Sequence, residues 1–125
     1  MAAKTRGVII ISTFSDSRSA RDLGRKVLDL KLCACVNFVK IESMYSWKGR
    51  REEHPEYLAL FKTTKSVVNR LKTAICRLHP YEVPEIVELD VRSMNAPYLS
   101  WLTFETSSSP LADRVAQKRH NPAKR

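Results

Sequence analysis

The sequence predicts an α+β fold, a ferredoxin-like β-α-β-β-α-β sandwich with a short extra C-terminal helix. Four stretches read as strands and two as amphipathic helices, in the order strand, helix, strand, strand, helix, strand. The two middle strands are joined by a turn around Lys48-Gly49, short enough for a hairpin. That split order lays two helices on one face of a single antiparallel sheet.

Each element has its own signal. Val8-Ile9-Ile10-Ile11 is apolar and bounded by Gly7 and Ser12-Thr13, which reads as a buried strand. Ser15 or Asp16 then supplies an N-cap. Ala20, Leu23, Val27 and Leu30 follow at helical spacing, giving a helix over about 17–31. The span from Cys33 to Trp47 is rich in β-branched and aromatic residues. It is long for one strand, and a bend is expected near Val39-Lys40. Gly49 is placed to take positive φ in the turn, the charged run 50–56 follows, and Tyr57 to Phe61 returns as the hairpin partner. Val68, Leu71, Ile75 and Leu78 form the stripe of a second helix, which stops at His79 because Pro80 disfavours helical geometry there. Val87, Leu89 and Val91 alternate with acids as a half-exposed strand, and 95–104 reads as a short helix. The second sheet face has no cover in this scheme, which implies a partner subunit.

Composition narrows the function. The 125 residues fit one domain, 43% hydrophobic and 28% charged. No apolar run approaches the roughly 20 residues needed to cross a bilayer. The run at 8–11 is shorter than a signal-peptide core of about 7–15 residues, so a cytoplasmic protein is expected. Cys33, Cys35 and Cys76 are too few for a disulfide framework and read as reduced thiols, the first two sharing one strand face. Of the net charge of +9, five basic residues against one acid in 111–125 contribute +4. The expected division is a folded domain over 1–106 and a basic, solvated tail over 107–125. Nucleic acid is not the expected partner, because packing explains Tyr45, Trp47 and Trp101 better than base stacking does. Lys48, Arg50 and Arg51 at the hairpin tip are expected to pair with Glu52, Glu53 and Glu56.

The chemistry concentrates in His79-Pro80-Tyr81-Glu82-Val83-Pro84-Glu85. Imidazole suits Cu(II) and Zn(II), Cys76 lies three residues earlier on the same helix, and Glu82 and Glu85 offer oxygens. The other reading has His79 buried at the helix end, with the motif shaping a groove between subunits. Tyr81 and Glu85 resemble an acid/base pair, but no nucleophile or oxyanion donor set accompanies them. With three glycines the chain has no phosphate-binding loop, so no enzyme activity is expected.

Five segments resemble the CutA family of divalent-cation tolerance proteins. They are Ala34-Cys35-Val36-Asn37, Ser43-Met44-Tyr45-Ser46-Trp47-Lys48-Gly49, Lys62-Thr63, His79-Pro80-Tyr81-Glu82-Val83-Pro84-Glu85-Ile86 and Tyr98-Leu99-Ser100-Trp101, in the family's order. The resemblance spans residues 8–102. It implies a PII-like homotrimer whose long hairpin reaches its neighbours, with Trp47, Tyr57 and Trp101 at the interface. It also implies a link to divalent cations, copper especially, with Tyr45, Trp47, Lys62 and Tyr81 as cleft walls beside the metal candidates His79, Cys76, Glu82 and Glu85. No obligatory cofactor is implied beyond a possible Cu(II) or other divalent cation. The chain departs from the family in three places. Lys40 replaces a Pro-Gly pair and leaves the strand one residue shorter. Met94 stands where Gly is usual, so that turn is expected to be strained or rebuilt. Ser12 stands where some members carry Cys.

Overall fold

The computed structural model of the protein describes residues 5–107; the basic segment 108–125 lies outside the described residues. The elements are β1 (Gly7–Phe14), α1 (Ser17–Asp29), β2 (Cys35–Trp47), β3 (Arg50–Thr64), α2 (Val68–Leu78), β4 (Val87–Asp90) and α3 (Ala96–Glu105). The strands form one antiparallel sheet in the order β2-β3-β1-β4, the ferredoxin-like arrangement.

Helix ends follow local chemistry. Asp16 caps α1, its Oδ1 accepting from the Ser19 N–H at 2.7 Å. At the other end Leu32 N–H donates to the Val27 carbonyl and Lys31 N–H to that of Leu28, a Schellman closure with Lys31 at φ 59. Helix α2 stops at His79, whose φ of −71 and ψ of 137 are extended, as the following proline requires.

Strand alternation sends Val8, Ile10 and Phe14 of β1 and Ala59 and Phe61 of β3 to the helix side. There they pack with Ala20, Leu23 and Val27 of α1 and Leu71 and Ile75 of α2. Tyr57 faces this side too and packs on the protomer's own core rather than on the open face. Helix α3 covers one end of the other face, where Leu102 is fully buried and Thr106 Oγ1 lies 3.3 Å from Thr64 Oγ1.

Three strand expectations are corrected. No bulge interrupts β2 at Val39-Lys40: pairing with β3 runs without a slip from Cys35↔Lys62 to Trp47↔Arg50. A bulge needs an extra residue on one strand, and Val39 and Lys40 each face a single partner, Leu58 and Tyr57. The returning strand, expected over Tyr57 to Phe61, takes in the charged run 50–56 as well and spans Arg50–Thr64. Pairing of β3 with β1 ends at Tyr57, so 50–56 pair with β2 alone as an overhanging two-stranded arm, and Pro55 is tolerated beside an unpaired edge. Finally, β2 begins at Cys35, so Cys33 precedes it and is buried in the core, where burial pushes its thiol pKa up to about 12. The two thiols therefore do not share a strand face.

Met94 is not strained. It has no positive φ, and a Cβ added to Gly7 would meet its Cε at 2.6 Å, so its thioether packs over a glycine that leaves room for it. In the hairpin turn both Lys48 (φ 50) and Gly49 (φ 78) are left-handed, as a two-residue type I′ turn requires.

Candidate functional site

The segment after α2 crosses the end of the sheet and carries its side chains from the helix layer towards the open face. His79 is the post on which it turns. Only 8% exposed, its ring stacks on Phe14 at 4.3 Å between centroids. Nε2 donates to the Thr13 carbonyl at 2.8 Å, and Nδ1 accepts the Tyr81 backbone N–H at 3.0 Å. A carbonyl only accepts and an amide N–H only donates, so the imidazole is the neutral Nε2–H tautomer. Burial holds its pKa below the ordinary value. Both nitrogens are spent, leaving no lone pair for a metal.

The same turn delivers Tyr81. Its hydroxyl donates to Glu56 Oε2 at 2.6 Å, and burial together with this carboxylate pushes the phenol pKa up. Glu56 is 5% exposed, and no Lys or Arg pairs with it among the described residues. On the arm, the Tyr45 hydroxyl meets His54 Nε2 at 2.5 Å. Desolvation, then Glu56 and Glu52, raise the Tyr45 pKa.

Arm and motif enclose a cleft of about 920 Å³. Tyr45, Trp47, Tyr81, Glu82 and Glu85 line it as expected. Four glutamates (Glu42, Glu56, Glu82 and Glu85) and His54 lie in its walls, with no Lys or Arg among the described lining residues. His79 and Cys76 do not line it: the first is buried behind Tyr81, the second exposed on α2. Lys62 does not line it either, because it pairs with Ile9 and Cys35 at the far end of the sheet, its ammonium 6.0 Å from the Tyr98 ring centroid. Among the described residues no three His, Cys, Asp or Glu side chains converge as a metal-ligand group. The expected His79–Cys76–Glu82–Glu85 set is therefore not assembled within the protomer.

Sequence reasoning missed Glu42, His54 and Glu56. Extending strand alternation through Pro55 would have placed Glu56 opposite Ile41, on the face of Leu58 and Leu60. Glu56 is held by Tyr81, not by the basic residues of the hairpin tip.

Fold and cleft together define a class: a ferredoxin-like, PII-like domain whose hairpin arm overhangs its own sheet. The chain belongs to the CutA1 divalent ion tolerance protein family, whose model matches residues 8–105. It is 39% identical over 95 residues to the divalent-cation tolerance protein CutA of Thermotoga maritima, covering 76% of this chain and 94% of that one. It is 40% identical over 97 residues to human protein CutA, covering 77% of this chain but 54% of the human protein. Among solved structures, CutA1 from Pyrococcus horikoshii superposes with a TM-score of 0.78 at 38% identity, covering 81% of this chain and 99% of that one. The divalent ion tolerance protein CutA1 from Ehrlichia chaffeensis superposes with a TM-score of 0.80 at 25% identity, covering 84% and 99%.

Proposed function

We propose that the chain works as a homotrimer in the response to divalent cations, Cu(II) first among them, and receives the cation at its acidic cleft. The observation that carries this reading is the charge of the cleft. A chain with a net charge of +9 lines the cleft between arm and motif with four carboxylates and no basic side chain among the described residues. Such a surface attracts cations against the field of the rest of the molecule. Support for the trimer comes from the uncovered sheet face, where Val87 (41%) and Leu89 (44%) stand exposed beside half-buried Leu58 and Leu60. Trp47 on the arm and Trp101 on α3 are the aromatic anchors for it. Because no three ligands converge among the described residues, Glu82 and Glu85 would share the cation with a neighbouring subunit.

The reading includes no catalytic step, and we assign it to the cytoplasm, where its three thiols stay reduced. No described helix is long and apolar enough to cross a membrane. Equilibrium dialysis of the purified protein against Cu(II) tests the proposal. Saturable uptake of about one ion per cleft supports it; uptake no greater than that of the unfolded chain refutes it.

One observation favours a second reading, a trimer that binds a small ligand in the cleft with no metal: the imidazole of the motif is already saturated by protein partners.

A further inference from the structure

We propose that the cleft binds a small organic ammonium ion, its charge set against Glu56 and its carbon skeleton against Tyr45, Trp47 and Tyr81. The inference rests on the reading of this cleft as the ligand site and names the class of ligand.

Glu56 is the starting point. It is a carboxylate 5% exposed, and among the described residues its one side-chain hydrogen bond comes from the neutral Tyr81 hydroxyl and no cationic side chain pairs with it. A buried charge is retained at high cost unless an opposite charge accompanies it. Glu56 also lines an open cleft, so the missing positive charge has a way in.

Two further observations favour an organic cation over a bare metal ion at Glu56 itself, apart from the ion that Glu82 and Glu85 would share with a neighbouring subunit. The first is coordination. A divalent metal needs several ligands at fixed geometry, and among the described residues no three His, Cys, Asp or Glu converge. An ammonium needs one or two acceptors, which Glu56 and its neighbouring glutamates supply. The second is the wall. Tyr45 and Trp47 are each 39% exposed, and Met44 beside them is exposed as well. Aromatic surface next to a carboxylate attracts alkylammonium through the ring quadrupole and covers its methylenes. Trp47 already holds one ammonium at the rim, that of Lys48 at 5.6 Å from the ring centroid. At about 920 Å³ the cleft is also of the size that holds organic ligands rather than a lone ion.

The test is calorimetric titration of n-butylammonium chloride into the full chain, in EDTA and at constant ionic strength, beside its neutral counterpart 1-butanol. Glu56→Gln keeps an acceptor for Tyr81 and removes the charge. Tyr45→Leu alters only the exposed arm and serves if Glu56→Gln does not fold. The expected result is saturable butylammonium binding, no butanol binding, and a loss of about tenfold or more in affinity for each variant. Absence of saturable butylammonium binding overturns the proposal, whether the site is empty or filled by a basic side chain of a second copy. Equal binding of butanol, or affinity unchanged in the variants, also overturns it. EDTA separates the two readings: amine binding that persists without metal stands even where Cu(II) uptake fails, and Cu(II) uptake without amine binding leaves only the metal reading.

Discussion

At the scale of the residue, the motif divides its labour. His79 builds and Tyr81 presents. His79 is kept neutral by burial, with a folded pKa below its usual 6.5. An unfolded histidine takes up a proton more readily, so stability from this group is whole above about pH 6.5 and is lost as pH falls through the depressed folded value. Thermal unfolding between about pH 7.5 and pH 5.5 should therefore show a falling midpoint, and His79→Asn should flatten the slope. Tyr81→Phe removes the hydroxyl that satisfies Glu56 and should cost about 2 kcal/mol, read by denaturant unfolding. Ser12 is the opposite case. Its Oγ is fully buried with no hydrogen-bond partner among the described residues, so Ser12→Ala should be neutral or stabilise by up to about 1 kcal/mol in the same assay. The motif stood out in the sequence through its two prolines and its polar groups. The roles did not, because the partners that fix His79 and Tyr81, the Thr13 carbonyl and Glu56, lie 66 and 25 residues away along the chain.

At the scale of the element, most of the fold was legible. The apolar stripes of α1 and α2, the stop at Pro80 and the glycine of the hairpin turn all carry local signals, and the structure follows them. The arm was harder to read. Pro55 and six charged or histidine neighbours hide a strand, because an overhanging hairpin has no core to impose alternation and its extension is set by pairing with β2. Lys31 offers a test of element ends. It closes α1 at φ 59, a conformation that glycine adopts without cost. Lys31→Gly should raise stability by about 0.5–1 kcal/mol, seen as a higher thermal midpoint.

At the scale of the whole molecule, the sheet has one face packed by α1 and α2 and one left largely open beyond α3. The sequence predicts a partner on that second face, and the family resemblance implies Trp47, Tyr57 and Trp101 for it, of which Tyr57 packs on the protomer's own core. A charge on its exposed apolar surface should keep the fold and break the assembly. Leu89→Glu, at an exposed position on β4, should sediment as a monomer where the parent sediments as a trimer. The arm and the motif meet over the same open side, so cleft and assembly are expected to fail together. On this reading the cleft carboxylates, not His79, receive the cation. This is tested most directly by calorimetric titration of Cu(II) into the parent, His79→Asn and the double variant Glu82→Gln/Glu85→Gln. The expected result is saturable binding that His79→Asn retains and the glutamine variant loses. Binding abolished by His79→Asn and untouched by the loss of both carboxylates would contradict it.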